Sequence, residues 1–188
     1  MKKKLSLFGL LFGLLFSPLA LAHFHYDLPL RTTLQTNTKG DLTALNITWM
    51  YDDELTDLML KDQKDVKKLG KKLINDLQLL SYFTAVKLNG KGLNFSKVSD
   101  YNLQEIKHKD YKNLELTFTL PLKKPVSLTG KNTLNFRHED ANASAILYYD
   151  KPQHLQLGKL KSHCKVDITE KKTFEEGEAP QNVKVVCR

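Results

Sequence analysis

Leu42-Thr-Ala-Leu-Asn-Ile-Thr-Trp-Met-Tyr51, running directly into Asp52-Asp-Glu-Leu-Thr-Asp-Leu-Met59, decides the fold, because the hydrophobic period changes inside it. Leu45, Ile47 and Trp49 alternate with Asn46 and Thr48, the period-two pattern of a strand with one buried face. From Asp52 the pattern becomes helical. Leu55, Leu58 and Met59 stand at i, i+3 and i+4, Asp52 or Asp53 is placed to cap, and acids in the first turn suit the helix dipole. Val66, Leu69, Leu73, Leu77 and Leu80 continue at three- and four-residue steps with lysines opposite, interrupted only by Gly70. This spacing predicts a helical insertion from about Asp53 to Leu80 that covers one side of a sheet.

On either side of the insertion the chain reads as strand. Upstream, Tyr26–Thr36 pairs with Leu42–Tyr51 through the turn Asn37-Thr-Lys-Gly40. Downstream, Tyr82–Leu88 meets the hairpin turn Asn89-Gly90 and returns over Leu93–Phe95. Val98–Lys107, Leu114–Leu120, Leu134–Arg137 and Ala145–Tyr149 follow, with Pro121, Pro125 and Pro152 expected between runs. Leu160–Thr169 and Val183–Cys187 read as a last hairpin. The expected fold is α+β: a mostly antiparallel, sandwich-like β domain with a helical insertion near residues 53–80.

The first 22 residues read as a cleavable signal peptide. Lys2, Lys3 and Lys4 precede the apolar run Leu5–Phe16, and Ala20-Leu-Ala22 offers the small residues a signal peptidase accepts. The run is shorter than the roughly 20 residues a membrane span needs. Residues 23–188 are then a single domain with a periplasmic address, not membrane-spanning after cleavage. The chain's net charge of +8 becomes +5 without the three leader lysines. The bases are interleaved with acids, which excludes a nucleic-acid footprint. Cys164 and Cys187 pair as a disulfide on the compartment argument, worth on the order of 3 kcal/mol for a loop of that size. The alternative is a thiolate metal ligand beside His163.

Four segments together resemble a bacterial periplasmic family catalogued as domain of unknown function 1007. They are His23-Phe-His25, Ile47-Thr-Trp-Met-Tyr-Asp-Asp53, Tyr82-Phe-Thr-Ala-Val-Lys-Leu-Asn-Gly-Lys91, and Leu114-Glu-Leu-Thr-Phe-Thr-Leu-Pro-Leu122 followed by Pro125. Members are often encoded beside nickel/cobalt or zinc transporters, so the resemblance implies an accessory role in metal handling with a membrane metal transporter as partner. The chain departs from the family twice. Phe24 replaces the usual proline of His-Pro-His. Lys61-Asp-Gln-Lys-Asp-Val-Lys-Lys68 lacks the ligand spacing and glycine of the calcium-like loop that many members carry.

Cleavage after Ala22 gives His23 a free α-amine and makes His25 the third residue. The amine, two backbone amides and the His25 imidazole would form a square-planar four-nitrogen set suited to copper(II) or nickel(II). This needs an N–H at position two, which Phe24 has. Alternatively, the amine and imidazole of His23 form a histidine brace, completed by another histidine. A second candidate is Arg137-His-Glu-Asp140, where His138 and Asp140 on one strand face would join His25 around zinc or nickel. The bland reading of that segment is a solvated charged turn; of the termini, a frayed end. His108, His154 and His163 read as surface histidines, Trp49 as core. No Gly-x-Ser-x-Gly, His-Glu-x-x-His or phosphate loop is present, so no enzyme is expected. The reading is a metal-binding accessory protein for nickel, cobalt, zinc or copper. The alternatives are a metal-free periplasmic interaction module and, less so, a copper enzyme with a histidine brace.

Overall fold

In the computed structural model, residues 26–175 and 177–188 are described. The period switch at Tyr51 falls where the sequence places it. Strand β1 spans Tyr26–Thr36 and β2 Leu42–Tyr51, followed by α1 (Asp53–Asp62) and α2 (Val66–Leu79). Then come β3 (Thr84–Leu88), β4 (Lys91–Gly92), β5 (Tyr101–Lys107), β6 (Lys112–Val126), β7 (Asn132–His138) and β8 (Ala145–Tyr148). The short β9 (Leu155–Gln156) precedes the closing hairpin β10 (Cys164–Glu170) and β11 (Gln181–Cys187). One sheet runs β5-β6-β2-β1-β8 with β9 also on β1; the other runs β10-β11-β7-β3-β4. The fold is α+β, two antiparallel-rich sheets with a helical insertion.

Alternation explains the core. Leu28, Leu30 and Leu34 of β1, Leu45, Ile47 and Trp49 of β2, and Leu114, Leu116, Phe118 and Leu120 of β6 are buried on one face. The second sheet contributes Val86, Leu134, Phe136, Val183 and Val185 to the same cluster. Trp49 stacks on Phe83 and meets Phe118 edge-on, and its indole nitrogen is buried without a partner.

Each helix starts at an acid. The Asp52 carboxylate accepts from Leu55 N, and Asp65 from Lys67 N and Lys68 N. Thr56 is fully buried and its hydroxyl accepts from Leu114 N, which ties α1 to β6. Helix α2 lies on β5 through Leu69, Gly70, Ile74 and Leu77. A Cβ on Gly70 would stand 3.0 Å from Leu103 Cβ, so this glycine sets how closely the helix approaches. Gly70→Leu is expected to destabilise by about 2 kcal/mol through overpacking, read as a lower urea midpoint. Gly70→Ala should change little, since better helix propensity offsets the close contact.

Several details add to or differ from the sequence reading. Strand β6 continues through Pro121, which pairs with Ala44 beside a register shift between Leu42 and Ala44; at such an irregularity a missing N–H does least harm. Pro125 also lies in β6, near its exposed end. Phe95 makes an isolated bridge to Leu122, and the hairpin return is only two residues long. Strand β8 runs parallel to β1, because after β7 the chain crosses between the sheets at Asp140–Ser144. Finally, Ser81, Tyr82 and Phe83 are no strand entrance: all three have positive φ (52°, 55° and 48°). Among the described residues no helix is long and apolar enough to cross a membrane.

Candidate functional site

His138 ends β7 in phase with buried Leu134 and Phe136, so its side chain enters the space between the sheets and is 3% exposed. Its register partner is Thr84 of β3. The Thr84 hydroxyl donates to Tyr82 O at 2.8 Å, which leaves its oxygen to accept from His138 Nδ1 at 3.2 Å. The proton is thereby assigned to Nδ1, and Nε2 accepts from the Tyr149 hydroxyl at 2.9 Å. Tyr149 in turn contacts the hydroxyl of Thr32 on β1 at 2.8 Å. The chain from Thr32 to Tyr82 O has one consistent direction and links both sheets. Burial lowers the His138 pKa to about 4, so the imidazole is neutral near pH 7. Burial also raises the Tyr149 phenol, against a smaller opposing effect of the Thr32 hydrogen bond. Gln181 closes one end, accepting from Tyr149 N and donating to Tyr149 O.

The chain ends on the left-handed turn Ser81–Phe83. Each such non-glycine residue carries roughly 1–2 kcal/mol of steric cost. The surroundings hold it in place. Phe83 O accepts from Glu139 N, the Tyr82 hydroxyl accepts from Val98 N, and Phe83 stacks on Trp49.

Asp140 lies beyond β7 and is 2% exposed. It is neither a solvated turn residue nor a free ligand. Its Oδ1 accepts from Asn142 N at 2.9 Å and its Oδ2 from Ser144 N at 3.0 Å. Ser144 O then accepts from Tyr26 N at 3.0 Å, so the Asp140 turn positions the start of β1. His138 and Asp140 are both buried, with ring nitrogens and carboxylate oxygens committed to partners within the fold. Among the described residues no group of three or more His, Cys, Asp or Glu is arranged to hold a metal ion. His23 and His25, like the leader 1–22, lie outside the described residues.

Tyr26 lines a shallow cleft of about 420 Å³ with Glu54, Leu55, Asp57, Leu58 and Lys61 of α1. Glu54 and Asp57 are exposed there. Of the remaining histidines, His108 is exposed and stacks on Tyr111, His163 meets Ser162, and His154 is half-buried, its Nδ1 enclosed 3.9 Å from Asp150. Cys164 and Cys187 are bonded to each other across the β10–β11 register, and no cysteine is free among the described residues. Asp52 is a helix cap, and the Lys61–Lys68 stretch is the end of α1, a short connector and the start of α2.

A family model described as "Protein of unknown function (DUF1007)" matches residues 8–183. The chain belongs to the DUF1007 family. No curated protein matches it. In this DUF1007 protein the segment Tyr82–Lys91 that carries the resemblance contains two of the three residues of the left-handed turn, then β3, and Ile47–Asp53 contains Trp49 and the cap of α1. The buried chain joining Thr32, Tyr149, His138 and Thr84 was not singled out from sequence. Thr32 shares the buried phase of Leu28, Leu30 and Leu34, and that phase was the available signal.

Proposed function

We propose that the protein is a periplasmic accessory protein, not an enzyme, that binds a divalent transition metal through its mature N-terminus in support of a membrane metal transporter. Nickel, cobalt, zinc and copper are the candidate ions. The observation that carries the reading is the anchoring of Tyr26: its N–H is bonded to Ser144 O, and it borders a cleft edged by the exposed carboxylates of Glu54 and Asp57. His23, Phe24 and His25 directly precede Tyr26 in the chain. The commitments of His138 and Asp140 favour ligands from the N-terminus itself, the His23 amine and the imidazoles of His23 and His25, over a set built from His138 and Asp140.

The test compares protein beginning at His23 with protein carrying one extra residue before it. The extension turns the amine into an amide and moves His25 from third to fourth position. Copper(II) or nickel(II) affinity is expected to fall at least tenfold, measured by competition with a chelator of known affinity. Equal affinities, with loss on His138→Ala and a preference for zinc, would reject the amine ligand in favour of a side-chain site. Absence of binding in both proteins would leave the metal-free interaction module.

A further inference from the structure

We propose that the outward face of α2 docks the protein onto an anionic lipid surface. The face is defined by what α2 buries: Leu69, Gly70, Ile74 and Leu77 turn toward β5, so Lys68, Lys72, Asn75 and Leu79, at steps of four, three and four, run along the opposite side. Lys71 stands beside that line, and Asp76 is the helix's only acid. Lys68 and Lys72 contact Asp65 and Asp62, but the lysine side chains in these pairs are 75% and 61% exposed. Among the described residues no carboxylate lies within ion-pair distance of Lys64, Lys67 or Lys71. The stripe ends on Leu79, which is 83% exposed, followed by Leu80 at 40%.

The lysines alone fit a solvated helix face; Leu79 stands exposed in line with them. A lipid surface accounts for both. Lysines on flexible stems are point charges that match mobile monovalent headgroups without requiring a fixed bidentate geometry. An apolar side chain on the same line fits the boundary between headgroups and acyl chains. The stretch 151–165 is free of acids, so its lysines serve as the matched control below. This surface is separate from the proposed N-terminal ligands, and its test uses no metal.

Protein spanning residues 23–188 is sedimented with vesicles of phosphatidylglycerol and phosphatidylethanolamine, or of phosphatidylcholine alone, at low and near-physiological salt. Wild type is expected to partition at least tenfold more onto the anionic vesicles, with the preference shrinking as salt rises. The triple variant Lys68→Gln/Lys71→Gln/Lys72→Gln should lose at least tenfold. Glutamine is a good helix former, so circular dichroism and melting should be unchanged. Lys159→Gln/Lys161→Gln/Lys165→Gln removes the same charge from exposed positions near β10 and should bind as wild type. Leu79→Gln, which alters no charge or packing, should lose two- to fivefold, of the order expected for one interfacial apolar side chain. No preference for anionic vesicles, equal losses in the two triple variants, or wild-type binding by Leu79→Gln would each overturn the proposal.

Discussion

His138→Gln is expected to destabilise the protein by about 2 kcal/mol at pH 7–8 and to flatten the acid side of its stability profile. The first effect follows from the buried chain, in which both ring nitrogens have partners and Thr84 and Tyr149 depend on them. The second follows from proton linkage. The folded pKa is lowered from 6.5 to about 4 by burial, so the unfolded chain binds the proton more readily between those values. Stability therefore rises with pH through that window. The neutral-state advantage is fully present above pH 6.5 and is lost progressively as pH falls toward 4, amounting to roughly 3 kcal/mol. All other ionisable groups are shared by the two proteins, so the difference between wild type and variant isolates His138. Urea unfolding from pH 8 to pH 4 should show the wild-type advantage shrinking below pH 6.5, vanishing at about pH 5 and reversing toward pH 4. Parallel curves would mean that His138 is not a buried neutral group.

Reducing the disulfide, or replacing Cys164 and Cys187 together by alanine, should remove on the order of 3 kcal/mol. The bond closes a loop with a sequence separation of 23 and joins register partners on β10 and β11. Among the described residues β10 is an edge strand whose one strand partner is β11, so the last hairpin should loosen first. For a domain of this size the loss corresponds to a fall in melting temperature of about 6–12 °C. Unreduced protein should present no alkylatable thiol to mass spectrometry. Modification of either cysteine without reductant would contradict the pairing.

The elements whose signals are local were legible in the sequence. β1 and β2 follow from alternation, α1 and α2 from the period change and their aspartate caps, and the β3–β4 turn from Asn89-Gly90, whose φ values are 49° and 84°. What was not legible depends on partners distant in the chain. Ser81–Phe83 contains no glycine, and its left-handed backbone is imposed by Glu139, Val98 and Trp49. Pro121 reads as a strand breaker until the register shift opposite Leu42 and Ala44 is known. At the candidate site, His138 and Asp140 were visible as polar residues near a strand end. Their engagement was not, because Tyr149 and Thr32 come together across 117 residues of sequence and the Asp140 carboxylate is consumed by its own turn. His23 and His25 lie outside the described residues, so the ligand set proposed for them rests on sequence alone.

The most direct measurement is a titration of protein whose N-terminus is confirmed by mass spectrometry as His23, with elemental analysis of the product. One equivalent of copper(II) or nickel(II) should bind, with the visible absorption of a square-planar nitrogen set, and folding and the His138 environment should be unchanged. No retention of any first-row divalent ion above background would contradict the metal-binding role outright.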